Sequence, residues 1–304
     1  ATAPAVAANL RWRTVMAFIL EQLITGLSIG SILLIIALGL SIIYGSMGVI
    51  NMAHGEFIML GAYGAWAMNT FFGVGLLPSL VVIFIGVAIL GALVERGIIR
   101  HLYRRTLDTI LATWGVGVMM QQAVRLSAGG ELRYVEMPAS MSGTIDILGV
   151  DVSAYRVFII LMGGGLFAVT WYIFNRTTIG MKLRAVVQDR SIATAFGIDA
   201  AKVYTLTFAY GAGLAGLAGA LVSPLKSVSP EMGTTYVVDA FFVVVLGGVQ
   251  SLLGTVASSL LLGQLSGIIA FWQNDTIAKA LVLVAIVVLI RFRPQGLFVT
   301  KVRT

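Results

Sequence analysis

The chain has 304 residues, of which 59% are hydrophobic and only 11% are charged, and its formal net charge is +7. This apolar share lies far above that of a soluble globular domain and excludes that class. Cysteine is absent, so the composition also excludes a disulfide framework, a thiol nucleophile and a thiolate metal site. The positive charge is expected from basic loops on one face of a membrane rather than from binding to nucleic acid.

Long unbroken apolar runs predict an all-α integral membrane protein, because the strands of a membrane barrel are short and alternate in polarity. The first 25 residues are expected to form an external or interfacial segment, or to extend the first span. Residues 236–246 are too short to cross alone at about 1.5 Å per residue, so they predict a partial or broken span. The chain is thus predicted to be a polytopic bundle of eight long spans and this short one. The long spans are predicted at residues 26–43, 57–72, 79–94, 109–128, 155–174, 203–222, 252–271 and 277–290.

The distribution of lysine and arginine predicts the orientation in the membrane. Most of these residues lie near residues 96–105, in the loop 176–202 and in the C-terminal tail, and cytoplasmic loops carry such an excess. The acidic loop 129–153 then falls outside. Alternation predicts nine crossings, with the N-terminus outside and residues 299–304 forming a cytoplasmic tail.

Residues 44–61 combine polar side chains with glycines between two apolar runs. Asn51, His54 and Glu56 stand there, and ionisable groups at membrane depth normally face a bundle interior or an aqueous cavity. Irregular backbone at that depth is tolerated only where protein or a cavity surrounds it. The stretch therefore predicts an interrupted helix that points these groups inward. A short cytoplasmic turn, with Glu56 at the start of the second span, is the alternative.

The fourth predicted span carries the other notable polar residues. Trp114 and Gln121 are seven residues apart and share a helix face, and Thr113 lies beside them. Together they offer donors, acceptors and an aromatic face to a small polar solute, although Trp114 is equally explained as a packing aromatic. Asp239 and Gln250 complete the predicted substrate path.

The loop 176–202 has the spacing of two short amphipathic helices. Ile179, Leu183 and Val187 recur about one turn apart, a break is predicted near residues 188–191, and Gly197 is expected to end the second helix. Such a loop could cover the membrane surface, where its basic residues suit anionic lipid. It could also dock a cytoplasmic partner.

The chain contains no P-loop, no G-x-S-x-G and no H-E-x-x-H motif. We therefore predict no catalytic residue, no metal site and no cofactor bound by this chain. If the protein pumps a solute, a partner must hydrolyse the ATP.

Four motifs in order resemble permeases of the branched-chain amino acid ABC importer family. The pattern T-x-x-G-x-x-x-R-A-V-x-Q-D-x-x-x-A-x-x-x-G-I, within 176–199, is similar to that family's ATPase-docking loop. The stretch G-V-I-N-M-A-H-G-E-F-I-M-L-G-A-Y at 48–63 resembles the signature of the family's first half. The stretch F-F-V-V-V-L-G-G-V-Q-S-L-L-G at 241–254 resembles the signature of its second half. The family's usual ending matches R-P-Q-G-L-F at 293–298.

The resemblance implies a permease domain over residues 26–298, in the bacterial inner membrane, built from two halves of inverted topology. The Gly-interrupted segments 45–61 and 247–254 would then occupy corresponding positions. It also implies a second permease, two cytoplasmic ATPase subunits that carry ATP and Mg, a periplasmic solute-binding protein, and contact with lipid. The implied docking residues are Gly180, Arg184, Ala185, Gln188, Asp189, Ala193 and Gly197.

Within that family, L-D-T-I-L-A-T-W-G-V at 107–116 looks like the urea-importer permease, so urea is the expected cargo. A branched-chain amino acid is the alternative cargo. A passive urea channel is a further alternative, which the docking-like loop disfavours because a channel needs no ATPase. A membrane enzyme or scaffold is disfavoured because no catalytic set converges.

Overall fold

The computed structural model describes residues 3–103, 105–147, 149–272, 274–292 and residue 296. Within these ranges the chain is almost entirely helical. The helices are α1 (Ala3–Met47), α2 (His54–Phe72), α3 (Leu76–Gly97), α4 (Thr106–Ala128), α5 (Ala154–Arg176), α6 (Thr178–Gln188), α7 (Arg190–Ala195), α8 (Ala200–Val222), α9 (Met232–Gly247), α10 (Leu252–Trp272) and α11 (Asp275–Phe292). Single 3-10 turns lie at Ile99–Leu102 and Ala139–Met141.

The prediction of an all-α polytopic membrane protein is confirmed. By length and composition, five helices of the described chain suit a membrane crossing: Ala17–Met47, Leu76–Gly97, Ala154–Arg176, Ala200–Val222 and Leu252–Trp272. The helix α9 and residues 279–289 are shorter apolar helices, so the total number of crossings stays a prediction. The helix α1 shows no boundary near residue 25, and whether the N-terminal segment is external, interfacial or part of the first span stays a prediction.

The structure contains one regular element that the sequence did not predict. The acidic loop before α5 contains a two-stranded antiparallel hairpin, β1 (Thr144–Ile147) with β2 (Val150–Ser153), in which Thr144 faces Ser153. Asp146 accepts a hydrogen bond from the Gly149 amide at 2.7 Å, and Gly149 has a φ of +82°. The alternating Val and Ile of these strands fit a half-buried hairpin, but a run of four residues gives too little periodicity to predict.

The helices α1 and α8 form the buried centre of the bundle. The helix α1 packs along α10 and α8 packs along α3, while α2 lies against α8 and α9 lies against α1. Exchanging α1 with α8, α2 with α9 and α3 with α10 therefore leaves the packing pattern unchanged. Met47 at the end of α1 and Tyr204 near the start of α8 belong to one hydrophobic cluster, so these two corresponding helices run in opposite directions, as the inverted topology implied by the resemblance requires.

Two glycine pairs lie where the halves cross. A Cβ placed on Gly55 would lie 2.6 Å from the carbonyl carbon of Gly233, and a Cβ on Gly233 would lie 2.6 Å from that of Gly55. Gly39 of α1 and Gly211 of α8 meet in the same reciprocal way, with a Cβ on Gly211 only 2.7 Å from the carbonyl oxygen of Gly39. Small residues are what let helix backbones approach this closely.

This packing corrects the predicted correspondence between the halves. The stretch that links α1 to α2 corresponds to the link between α8 and α9, residues 223–231, and not to residues 247–254. The segment 247–254 instead links α9 to α10 and corresponds to the turn between α2 and α3. Both segments contain glycines, which makes them similar in local sequence although they occupy different positions in the topology.

The two ends of the bundle differ. One end carries α6 and α7, whose Leu183 and Val186 pack with Met47, Tyr103 and Phe174; we call it the α6–α7 end. The opposite end carries the hairpin, the Arg125–Glu231 ion pair at 2.6 Å, and a backbone bridge between Arg133 and Val228. Two of the basic segments, the turn after α3 that contains Tyr103 and the loop 176–202, therefore lie at the α6–α7 end, for which the positive-inside rule predicts the cytoplasmic side.

Candidate functional site

The link between α1 and α2 re-enters the bundle. Gly48 leaves α1 with a φ of +64°, a conformation that favours glycine, and Asn51 and Ala53 are fully buried. The first residue of α2, His54, contacts the carbonyl oxygen of Ile36, about 16 Å along α1 from its end at Met47. This agrees with an interrupted segment whose polar groups point inward, because protein surrounds the irregular backbone at that depth.

Asn51 and His54 hold this link in place. The side-chain oxygen of Asn51 accepts a hydrogen bond from the Ala53 amide at 3.1 Å. His54 lies 3.0 Å from the Ile36 carbonyl through Nε2, which must carry the proton because a carbonyl oxygen only accepts. Each residue therefore uses one polar atom to fix the start of α2 against α1.

Glu56 lies where two helices begin. It stands in the first turn of α2, its Cγ would be 3.3 Å from a Cβ on Gly117, and its Oε2 would be 3.0 Å from a Cβ on Gly233. Gly117 is the midpoint of α4, so Glu56 lies at mid-height of the bundle. Gly233 is the second residue of α9, so the N-termini of α2 and α9 converge on this carboxylate. Helix N-termini stabilise negative charge, and broken helices of this kind form the sites of many transporters.

These three residues also hold polar atoms without a protein partner. Asn51 Nδ2, His54 Nδ1 and Glu56 Oε2 are buried and accept or donate no hydrogen bond within the described chain. An unpaired buried polar group costs about 1–3 kcal/mol, and most are satisfied in native proteins. We name this group of three, with its supporting Gly117 and Gly233, the midplane cluster.

Thr113 joins the midplane cluster, but as a structural tie. Its hydroxyl oxygen accepts from the Met52 amide at 3.1 Å and donates to the Thr109 carbonyl at 2.8 Å. It therefore fastens α4 to the α1–α2 link. Its hydroxyl is already used on both sides, which leaves little of it for a solute.

The structure corrects the predicted polar wall on α4. Trp114 is 61% exposed and points out of the bundle, and Gln121 donates to the Pro230 carbonyl at 3.1 Å, which ties α4 to the α8–α9 link. The two share a sequence spacing, but they do not face a common space with Thr113. The expectation that these three side chains form one urea-binding wall is wrong.

Asp239 and Gln250 lie apart from the midplane cluster. Asp239 forms an ion pair with Lys279 at 3.7 Å and lines a separate cavity between α1, α9 and α11. Gln250 is exposed just after Gly248, which has a φ of +93°. The predicted substrate path thus divides into several places, of which only the midplane cluster combines burial with unpaired polar atoms.

The loop 176–202 folds into the two short helices that its spacing predicts, α6 and α7. Asp189 separates them and caps α7, since its Oδ1 accepts from the Ser191 amide at 2.8 Å and from the Ile192 amide at 3.0 Å. The Ser191 hydroxyl also donates to it at 2.6 Å, and this hydrogen bond holds the pKa of Asp189 below its usual value. Gly197, with a φ of +81°, ends the segment.

Some of the remaining predicted docking residues hold the two helices in place, and others lie on their exposed surface. A Cβ on Gly180 would overlap the Phe174 backbone, so no larger residue fits there, and Arg184 donates to the Phe174 carbonyl. Ala193 is buried, Ala185 is half-buried and Gln188 is exposed. Large apolar side chains stand outward beside them, namely Ile179, Met181, Val187, Ile192 and Phe196, the last 82% exposed.

Sequence reasoning missed a buried acidic group beneath α7. Glu95, at the end of α3, has no solvent exposure; Tyr103 donates to its Oε1 and Thr205 donates to its Oε2 at 2.5 Å. Arg100 lies 3.6 Å from the same carboxylate. Burial, and next the bond to Glu95, raise the pKa of Tyr103. A lone carboxylate at the end of an apolar span was the available signal.

This group, which we call the Glu95 network, reaches the docking loop through Arg190. The guanidinium of Arg190, the first residue of α7, lies 5.9 Å from the ring centroids of both Tyr103 and Tyr204. Such a cation–π contact links α7 to α8 and to the turn after α3. Within the described ranges, no three His, Asp or Glu residues lie close enough to hold a metal ion.

Comparison with known proteins identifies relatives over nearly the whole chain. A family model described as branched-chain amino acid transport system / permease component matches residues 22–291. The high-affinity branched-chain amino acid transport system permease protein BraD of Pseudomonas aeruginosa is 29% identical over 292 residues, which cover 91% of this chain and 95% of BraD. The corresponding LivH of Salmonella typhimurium is 28% identical over 293 residues, covering 90% and 94%.

A solved structure, PsaBC from Streptococcus pneumoniae in complex with Fab, aligns over 90% of this chain and 91% of that chain. The sequence identity is 16% and the TM-score is 0.48.

Proposed function

The chain belongs to the permease-component family of branched-chain amino acid transport systems, and we propose that it pairs with a second, homologous permease to carry a branched-chain amino acid through an ABC importer. As a permease component it is a transport subunit rather than an enzyme, and a multi-pass protein of the inner membrane. The partners we propose are two cytoplasmic ATPase subunits, which bind ATP and Mg, and a periplasmic binding protein at the opposite end.

The exposed apolar surface of α6 and α7 carries the proposal of ATPase docking. Phe196 and Ile192 are 82% and 56% exposed, although both follow a rigid, capped helix start at Asp189. Large apolar side chains held outward on a fixed element suit burial in a groove of a partner protein. The basic charge of the surrounding loop favours the cytoplasmic side for this surface, which is where the proposed ATPases would act.

The cargo proposal rests on two observations. The relatives BraD and LivH are named as branched-chain amino acid permeases, and they match more than nine-tenths of their own length. The side chains expected to line a urea path, Thr113, Trp114 and Gln121, point in different directions or already hold backbone partners. The resemblance of residues 107–116 to the urea-importer permease stays in favour of urea, whereas the relatives favour a branched-chain amino acid.

The midplane cluster is proposed to act in gating near the path rather than in chemistry. Its carboxylate lies where α2 and α9 begin, on the line where the two inverted halves cross. A relative movement of the halves is therefore expected to change the surroundings of Glu56. Transporter halves of inverted topology rock against one another about such a point.

Docking is tested with Phe196→Asp, and Leu132→Asp at the opposite end is the matched control, since Leu132 is also an exposed apolar residue. We expect the first variant to insert in the membrane but to lose copurification of the ATPases, and the control to keep it. Copurification that is equal in both variants would overturn the docking proposal.

Cargo is tested separately, with the permease pair, ATPases and binding protein reconstituted in vesicles. We expect ATP-dependent accumulation of labelled leucine and none of labelled urea. Urea accumulation without leucine would overturn the cargo proposal and leave the importer standing. Urea entry without ATP would instead indicate the passive channel.

A further inference from the structure

The helix α4 contacts both of the links that re-enter the bundle. The α1–α2 link enters from the α6–α7 end, and the α8–α9 link enters from the opposite end. The Thr113 hydroxyl of α4 accepts a hydrogen bond from the Met52 amide of the first link at 3.1 Å. The Gln121 amide of α4 donates to the Pro230 carbonyl of the second link, also at 3.1 Å. Each contact therefore lies two residues before α2 or α9 begins.

These two contacts lie symmetrically about Gly117, the glycine of α4 that faces Glu56 at mid-height of the bundle. Thr113 stands four residues before Gly117 and Gln121 stands four residues after it. Each is therefore about 6 Å from Gly117 along the helix and on nearly the same helix face. Because the two links occupy corresponding positions in the inverted halves, one face of α4 fastens one link on each side of Glu56.

The α8–α9 link has two further contacts, with the end of α4 and with the loop that follows it. Arg125 forms an ion pair with Glu231 at 2.6 Å. Arg133 pairs with Val228 through two backbone hydrogen bonds of 2.9 and 2.8 Å, and Val228 is fully buried. These contacts fix the link between the opposite end of the bundle and the start of α9.

We propose that the two links are the two gates of the transport path, and that α4 keeps them closed on either side of Glu56. This proposal rests on the proposed transport function and adds to it the elements that open. In alternating access the central site is reached from one face at a time, so a link released from α4 exposes Glu56 to its own end of the bundle. Thr113 and Gln121 therefore control access from different faces of the membrane.

The test measures the access of a thiol reagent to residue 53, which is practicable because the chain contains no cysteine. Ala53 is fully buried, and its Cα lies 3.7 Å from the place that a Cβ on Gly117 would take. Ala53→Cys is introduced into the assembled transporter, which is reconstituted in vesicles of either orientation without ATP. A membrane-impermeant maleimide then reaches the opposite end or the α6–α7 end, and mass spectrometry gives the labelling rate of this chain.

In this background, each variant is expected to act from one face. Gln121→Ala should raise labelling from the opposite end and Thr113→Val should raise it from the α6–α7 end, by about threefold to tenfold for one lost hydrogen bond. The control Ser127→Ala removes a hydroxyl that donates to the Ala123 and Val124 carbonyls of α4 itself, and it should leave both rates unchanged. Equal increases from both faces, which a loosened bundle would give, or no increase would overturn the proposal.

A disulfide gives a second measurement that does not depend on the thiol probe. Arg133 and Val228 form a hydrogen-bonded antiparallel pair, whose Cα atoms lie about 5.5 Å apart, a separation that a disulfide spans. The oxidised variant Arg133→Cys/Val228→Cys should lower ATP-dependent leucine uptake by at least about tenfold and recover it on reduction. The control pair Ile145→Cys/Val152→Cys, across the hairpin, should keep uptake when oxidised. Equal uptake by the oxidised and reduced forms of the first pair would overturn the proposal.

Failure of the gates is distinguishable from failure of the proposed function. Absence of leucine uptake by the unaltered transporter would overturn the cargo proposal. The labelling rates are measured without cargo and without ATP, so they report on the two gates in either case.

Discussion

The glycine crossing beneath Glu56 allows a quantitative test of the inverted packing. Gly55 and Gly233 meet so closely that a Cβ on either would lie 2.6 Å from the carbonyl carbon of the other. Carbon atoms prefer about 3.5–4.0 Å, so Gly55→Ala must push α2 and α9 apart by about 1 Å. Both neighbouring atoms belong to backbone, which cannot rotate away as a side chain can.

The expected change in the free energy of unfolding of Gly55→Ala is the sum of two opposing contributions. Overpacking of a close contact costs about 1–3 kcal/mol, while replacing a helical glycine by alanine stabilises the helix by up to about 1 kcal/mol. The matched control is Gly86→Ala in α3, where a Cβ would meet no atom within 4 Å. We expect the control to be neutral or slightly stabilising and Gly55→Ala to lie about 1–3 kcal/mol below it in free energy of unfolding.

The assay is denaturant-induced unfolding of the purified permease in one detergent, followed by tryptophan fluorescence. The double variant Gly55→Ala/Gly233→Ala should cost less than the sum of the two single variants, because the first substitution has already separated the helices. Equal unfolding midpoints for Gly55→Ala and Gly86→Ala would refute the close crossing.

Three further changes probe the groups around the crossing and the docking loop. Glu56→Gln should retain more uptake than Glu56→Leu by roughly tenfold, because the amide keeps a polar group at the helix starts; equal uptake by both would remove Glu56 from the path. Tyr103→Phe leaves the Oε1 atom of Glu95 without its hydrogen-bond donor and should lower the free energy of unfolding by about 1–3 kcal/mol, as measured by the same unfolding assay, with an unchanged midpoint as the contrary result. The pKa of Asp189 is lowered in the folded chain, so its cap on α7 is fully present above the ordinary carboxyl pKa and is lost as the pH falls through the lowered value. Hydrogen exchange of α7 should show this loss of protection in acid, and Asp189→Asn, a cap that does not titrate, should show none.

The sequence predicts best what depends on local periodicity. The apolar runs predict the long helices, and the spacing within residues 176–202 predicts α6, α7 and the break between them, which the structure places at Asp189. The inward orientation of Asn51, His54 and Glu56 also follows from their cost in an apolar surrounding. Each of these conclusions needs only a residue and its close neighbours in the chain.

Other features depend on packing between distant segments. Trp114 and Gln121 share a helix face by spacing, but only the position of Pro230 on the α8–α9 link decides where that face points. Gly233 contacts Glu56 although 177 positions separate them, and nothing in either local pattern indicates the pairing. The same reason explains the mistaken match of the two glycine-rich segments, since glycine composition is local and inverted topology is not.

The helix α8 connects the docking loop to the midplane cluster. Near its start, Thr205 binds Glu95, which Tyr103 links to Arg190 of α7. Further along α8, a Cβ on Gly216 would clash with Val87 of α3. A Cβ on Gly219 would clash with Ile58 of α2. Because residues 211–222 of α8 are buried without a gap, we expect this part of α8 to move as one body. If α7 docks an ATPase as proposed, we expect its displacement to move α2, and with α2 the carboxylate of Glu56 at the crossing of the two halves.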